Sequence, residues 1–94
     1  MVSYRINDEA QDDIKRIYKR GLAEHGETQA DAYYDAFFRR FERIAAQPYL
    51  YPSVDHIRAG YRRSVCGVDS IYYRIVDDTV EIMRIIGRQD TDQS

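Results

Sequence analysis

Residues 61–86 constrain the fold more than any other part of the chain. They hold three runs dense in β-branched and aromatic side chains, 61–66, 69–76 and 79–86, divided by a turn at Gly67 and by Asp77-Asp78. That is the pattern of a three-stranded meander. With Asp77 and Asp78 as the loop, Val76 faces Thr79, Ile75 faces Val80, Arg74 faces Glu81, Tyr73 faces Ile82 and Tyr72 faces Met83. Strand alternation then gathers Ile71, Tyr73, Ile75, Val80 and Ile82 on one apolar face. Arg74 and Glu81 meet on the other face as a cross-strand ion pair, worth ~0.2–1 kcal/mol. A one-residue slip would split that pair and break the alternation. Asp-Asp is a weaker turn than Asn-Gly, because a primed turn needs positive φ at both positions. By the same count Arg84 falls on the apolar face with Ile71, so it must pair or sit at the core's margin.

Upstream, Tyr4 and Ile6 alternate with Ser3 and Arg5, which reads as a half-buried strand over residues 1–6. Asn7-Asp8 offers helix-capping oxygens, and Asp8 with Gln11 resembles a capping box. A first helix over about 8–24 carries Ala10, Ile14, Ile17, Tyr18, Gly21 and Leu22 on one apolar face. Its Lys15, Arg16, Lys19 and Arg20 read as a solvated face. Gly26 supplies a left-handed cap. A second helix begins near Thr28, where Thr28 and Asp31 form a start signal, and Pro48 stops it. Its stripe of Ala30, Tyr33, Tyr34, Phe37, Phe38, Phe41, Ile44 and Ala45 is wider than one contact surface needs. The short break between the helices makes them an antiparallel hairpin. Residues 47–60 form a loop that Leu50 and Ile57 are expected to pin. After Gly87 no apolar residue remains, so residues 88–94 read as a frayed tail. The order is β-α-α-β-β-β. The expected architecture is a single α+β domain over 1–94, with the helical hairpin on one face of a small antiparallel sheet. The place of the first strand in that sheet is left open.

Composition narrows the function. Ninety-four residues suit one domain, and a net charge of −2 gives no global field to hold nucleic acid. No direct sequence-specific nucleic-acid binding is therefore expected. No apolar run approaches a membrane span, and residues 1–5 lack the apolar stretch of a secretion signal. A cytoplasmic location without membrane contact is expected. Cys66, the one cysteine, cannot form an internal disulfide. With His25 and His56 it makes no metal-ligand spacing, so neither metal nor cofactor is expected. Nine tyrosines stand beside no tryptophan. Most suit the rim of a thin core; a minority suit a partner-binding groove.

Several ordered segments resemble one family. They are Ala10…Asp13-Ile14, His25-Gly26…Ala30…Tyr33, Ala46-Gln47-Pro48, Ile57-Arg58…Gly60-Tyr61-Arg62-Arg63, Ile71-Tyr72-Tyr73-Arg74-Ile75, and Asp77-Asp78 followed by Val80-Glu81-Ile82-Met83-Arg84-Ile85-Ile86. Spread over residues 4–88, this set resembles the ParE branch of the RelE/ParE toxin superfamily. The resemblance implies a toxin of a type II toxin–antitoxin module that poisons DNA gyrase. It also implies a ParD-like antitoxin whose extended C-terminal segment wraps the toxin.

RelE-like members of the superfamily instead cut mRNA on the ribosome, so fold alone does not choose. Strand cleavage needs a proton acceptor and a proton donor. In RelE-like toxins such groups lie near the end of the last strand, which here reads Ile85-Ile86-Gly87-Arg88. The family's usual histidine is replaced by Gly87, and its following arginine is matched by Arg88. A non-enzymatic toxin is the expectation, with a RelE-type ribonuclease or a degenerate antitoxin-binding module as alternatives. Arg62, Arg63, Arg84 and Arg88 are the candidates to meet gyrase or its DNA, although surface charge explains Arg62 and Arg63 equally well. Tyr33, Tyr34 and Phe38 are the candidates to meet the antitoxin. Cys66 reads as a strand residue and not a nucleophile.

Overall fold

The computed structural model describes residues 3–87, and all structural statements below concern these. In chain order the elements are β1 (Ser3–Ile6), α1 (Asp8–His25), α2 (Glu27–Ala46), β2 (Arg62–Cys66), β3 (Asp69–Val76) and β4 (Thr79–Gly87). The strands form one sheet in the order β1-β4-β3-β2. The two helices pack on one face of it. Ala10, Ile14 and Ile17 of α1 and Phe37, Phe41 and Ile44 of α2 close a core against Cys66, Ile71, Tyr73, Val80, Ile82 and Ile85.

The β3–β4 hairpin keeps the expected register from Val76↔Thr79 to Tyr73↔Ile82, including Arg74↔Glu81. Asp77 and Asp78 both take positive φ, 50° and 62°, as a primed turn demands. The register then departs from the count. A bulge between Tyr72 and Tyr73 sets Tyr72 opposite Arg84, not Met83, and Ile71 opposite Ile85. The extra residue moves Ile85 into the core position and re-aims Arg84. Arg84 leaves the apolar face and reaches α1.

The expected all-antiparallel sheet is corrected by β1, which pairs parallel to β4 from Ser3↔Thr79 to Ile6↔Ile82. The reason lies in the next element. β1 covers only the first half of β4, and the chain runs on in the same sense as α1 over the second half. There Asp13 meets Ile85 and Arg84, and Arg20 meets Asp69, whose partner in β4 is Gly87. On the outer face Arg5 lies 3.6 Å from Glu81, which also holds Arg74 at 2.8 Å. This charged row spans β1, β4 and β3. The Arg74 bond, followed by the nearby charges, holds the Glu81 carboxyl below its usual range.

The helix ends differ in detail from the capping signals. Asn7 is the cap of α1: its side chain accepts from Ala10 N–H at 2.9 Å. Gln11 reaches back to the Ile6 carbonyl, so no Asp8–Gln11 box forms. Gly26, at φ 88°, ends α1 with its N–H on the Leu22 carbonyl and caps α2, which begins at Glu27, one residue before Thr28. Only glycine takes that backbone without strain. The loop also differs: Leu50 and Ile57 are exposed, while Val54 is 2 % exposed and does the pinning. Val54 is apolar and hydrogen-bonds at both backbone groups, so it fits the core as the longer side chains do not.

Beyond Ile82, α1 supplies the partners that β1 no longer can. Asp13 Oδ2 accepts from the Ile85 N–H at 2.9 Å and from Arg84 Nε at 2.8 Å. Arg16 donates to the Ile85 carbonyl at 3.2 Å and to Asp13 Oδ1 at 3.3 Å. Asp13 is buried. Burial alone would push its carboxyl up, but the Arg84 and Ile85 hydrogen bonds, the Arg84 charge and Arg16 outweigh it. The group lies below the usual 3.8.

A lowered folded pKa adds stability above the unfolded value and loses it as pH falls through the folded one. Asp13→Asn should therefore cost about 2 kcal/mol at pH 7, discounted because Arg84 and Arg16 are part-exposed. The gap between the two proteins should shrink as pH drops below about 4. Urea unfolding at stepped pH checks this; a gap unchanged from pH 7 to 2.5 refutes it.

Candidate functional site

A groove lies along α1 and α2 near their junction and reaches the β2–β3 turn. It encloses about 770 Å³ and is lined by Ile14, Ile17, Gly21, Tyr33, Phe37 and Val68 among others, with Arg20 and Glu24 also in its lining. Its walls are the faces that the 3.6-residue period turns inward. The helices approach closely at Gly21, where the nearest atoms of Ala30 lie 3.5 Å from where a Cβ would stand.

Tyr33 fixes the floor. Its hydroxyl lies 2.7 Å from Asp69 Oδ2 and 2.8 Å from the Cys66 carbonyl, one proton facing two acceptors. Asp69 is fully buried, and Arg20 approaches the same oxygen at 3.4 Å. Asp69 Oδ1 takes no hydrogen bond among the described residues. Burial first, then the hydrogen bond to Asp69, pushes the Tyr33 phenol far above its ordinary value. Gly67 closes the turn at φ 64°, and a Cβ there would stand 2.6 Å from the Tyr33 hydroxyl. Conformation and space both require glycine at this position.

The three aromatic candidates separate. Tyr33 and Tyr34 line the groove; Phe38 does not. Tyr34 is 40 % exposed. It stands edge-on to Tyr18 at 5.7 Å and tilts against Phe38 at 4.9 Å, which in turn meets Phe41 at 5.3 Å. These rings form a ladder from solvent to core. Tyr18 donates to Asp31 at 2.6 Å, and that bond, with weaker help from desolvation, pushes its phenol up to about 12.

The arginine candidates do not gather at the groove. Arg84 is held by Asp13, with Glu9 at 3.8 Å. Arg62 donates to the Tyr51 carbonyl at 2.6 Å and stacks over the Tyr49 ring at 5.1 Å. Arg63 faces Tyr72 across the sheet, and the bulge brings Arg84 to the same level from the other side. Arg88 lies outside the described residues. Gly87 is buried and paired with Asp69 at the end of β4. Among the described residues no group of three His, Cys, Asp or Glu could hold a metal ion. No helix is long and apolar enough to cross a membrane. Cys66 is a buried free thiol, and burial raises its pKa. Its place in β2 agrees with the strand role read from the sequence.

Two residues that hold the groove in place, Arg20 in its lining and Asp69 beneath Tyr33, are not marked as such by the sequence. Asp69 opens the 69–76 run and shares its alternation with Ile71 and Tyr73, a parity that points inward. Arg20 was assigned to a solvated face, and nothing local marks it as the partner of Asp69. Gly67→Ala should lower stability by about 2 kcal/mol, through the positive φ and the displaced Tyr33. Tyr33→Phe should cost about 1–2 kcal/mol by stripping Asp69 of a donor. Chemical denaturation measures both; a Gly67→Ala protein as stable as wild type contradicts this geometry.

Residues 4–91 match the family model described as "ParE toxin of type II toxin-antitoxin system, parDE". A relative named Toxin ParE1 from Caulobacter vibrioides is 33 % identical over 86 residues, covering 92 % of this chain and 88 % of its own. Among solved structures, one titled as the chromosomal ParDE TA system from P. aeruginosa superposes with TM-score 0.77 at 21 % identity, covering 93 % of this chain and 96 % of its own. The toxin–antitoxin complex RelBE2 from Mycobacterium tuberculosis follows with TM-score 0.67 at 22 % identity, covering 93 % and 98 %. These two structures carry the fold alone.

Proposed function

From the premise that this chain belongs to the ParE toxin family of type II toxin–antitoxin systems, we propose that it inhibits DNA gyrase and is neutralised by a ParD-like antitoxin. The observation that carries the antitoxin half is the groove. It is open, mostly apolar, and edged by a part-exposed tyrosine that already leans on two other rings. An amphipathic segment laid between two helices buries its apolar side chains in such a surface. Tyrosine adds area at small entropy cost, since its ring has few torsions to freeze.

The gyrase half rests on family membership and on the character of the titratable groups. Among the described residues, the carboxyls of Asp13, Asp55 and Glu81 are shifted downward and Tyr18, Tyr33, Tyr73 and Cys66 upward, each away from neutrality. Groups tuned for proton transfer shift toward neutral pH. Gly87 points the same way, since it puts no side chain at the end of β4. These features support a toxin that acts by binding and weigh against the RelE-type nuclease reading.

The purified chain should block gyrase supercoiling and trap cleaved DNA, and a ParD-like protein should relieve the block. Absence of inhibition, together with ribosome-phased cuts in transcripts after induction, would transfer the assignment to the nuclease class. Growth unaffected by induction would leave only an antitoxin-binding module. Tyr34→Ala combined with Phe38→Ala should weaken antitoxin binding about tenfold to a hundredfold. Calorimetric titration checks this; unchanged affinity removes the groove from the interface.

A further inference from the structure

We infer that the loop over residues 47–60, at the other end of the molecule from the groove, is a second and separate docking face, and that its occupant is the acidic, apolar-pocketed surface of the toxin's protein target. This deepens the proposed function: in that reading the target is gyrase, and the contact is with its protein, not its DNA.

A connection this long without regular structure is uncommon in a compact domain, and such loops are usually functional or disordered. This one is ordered by its own bonds. Val54 donates to the Tyr61 carbonyl at 2.8 Å and accepts from Ile57 and Arg58. Arg63 donates to the Pro52 carbonyl, and Gly60 donates to Asp55 Oδ1 at 2.8 Å. Tyr73 donates to the Pro48 carbonyl at 2.6 Å from inside the core. A scaffold so tied could have folded its large apolar side chains inward. Instead Tyr49, Leu50 and Ile57 are 70 %, 64 % and 56 % exposed. Preorganised display of this kind removes the ordering cost of binding.

The chemistry of the face selects the occupant. Arg62 stacks over Tyr49 and Arg58 over Tyr61, at 5.1 and 5.6 Å. Each guanidinium lies against an aromatic ring; Arg62 also gives one N–H to the Tyr51 carbonyl, and a guanidinium has further N–H groups for a carboxylate. The loop's own acid, Asp55, is turned to its own backbone, and the Gly60 N–H lowers its pKa. The face is thus cationic at the rim and apolar between, with tyrosine and arginine as in binding hot spots. A phosphate backbone would use the arginines but offers nothing to Leu50 and Ile57, so the face fits a protein better than DNA. Gln47, the cap at the end of α2, stands fourteen positions beyond Tyr33, about 21 Å along the helix. A segment seated in the groove does not by itself cover the loop.

The test uses Leu50→Ser with Ile57→Ser, and separately Arg58→Glu, in the full chain. Each variant should keep the far-ultraviolet spectrum, melting temperature and antitoxin affinity of wild type. Each should lose growth arrest on induction and raise the concentration for half-inhibition of gyrase about tenfold or more. Variants that arrest growth as wild type does overturn the inference and leave the proposed function standing. A wild type that arrests growth without touching gyrase removes the gyrase assignment, while loss of arrest in the loop variants still upholds the docking face. Weaker binding of a plain DNA duplex by the variants, or a wild-type dimer that they dissolve, would overturn it in favour of nucleic acid or a second copy. A wild type that does not arrest growth overturns both.

Discussion

The buried carboxylate of Asp13 is the interaction on which the arrangement of this molecule turns. Strand β1 is too short to cover β4, and the bulge beyond Ile82 disturbs the ladder on its other side. A sheet broken in this way leaves backbone groups seeking partners, and burying them unpaired is expensive. Asp13 and Arg16 answer both needs from one turn of α1. The same carboxylate neutralises Arg84, which the bulge has swung off the strand. Helix, bulge and sheet end are therefore one unit. α1 lies where it does because its charged pair completes the strand beneath it.

From that placement the two ends of the helical hairpin take different characters. At one end α1 has advanced past β1 to the close of β4, and the groove near the helix junction reaches the β2–β3 turn. Tyr33 ties helix to turn there, and Gly67 gives it room. At the other end α2 delivers the chain to the start of β2, and the loop between them is held by Val54, by Tyr51 against Tyr73, and by bonds from Tyr73, Arg62 and Arg63 to the Pro48, Tyr51 and Pro52 carbonyls. One end holds a concave apolar surface with a polar floor. The other holds a convex surface of tyrosine, aliphatic residues and stacked arginine. Proteins that must be silenced by one partner and act on another benefit from such separation, because each contact can be strengthened without reshaping the other.

Much of this was legible from the residues alone, for identifiable reasons. Element order, the β3–β4 hairpin as far as Tyr73↔Ile82, and most of the core faces of both helices follow from periodicity, which is a local signal; Leu22, expected on the apolar face of α1, is exposed. The parallel pairing of β1, the bulge and the roles of Asp13, Arg20 and Asp69 depend on contacts between residues far apart in sequence. Asp13 shares its spacing with Ala10, Ile14 and Ile17, and Asp69 its parity with Ile71 and Tyr73, so position pointed inward for both. Residue type points the other way, because acids are rarely buried unless paired. Their partners come from distant elements. The loop failed in the opposite sense: Leu50 and Ile57 were expected inside on hydrophobicity, and a smaller residue, Val54, took the buried place. For the candidate site, Tyr33 and Tyr34 were found by the excess width of the α2 stripe, while the arginines were named by type and then scattered by the fold.

That scattering bears on what the toxin can do. A nuclease on this scaffold needs a proton acceptor, a proton donor and charge converging within a few ångströms of one phosphate. Here Arg84 is engaged by Asp13, Arg62 by Tyr51 and Tyr49, and the end of β4 is a buried glycine. Cations so committed stabilise the fold and shape surfaces; drawing any one into a reaction would first break a bond that holds an element in place. A binding toxin faces no such conflict, because recognition asks for fixed surfaces and gains from rigidity. The network that secures α1 on the sheet is thus the same feature that favours the binding reading over the cleaving one.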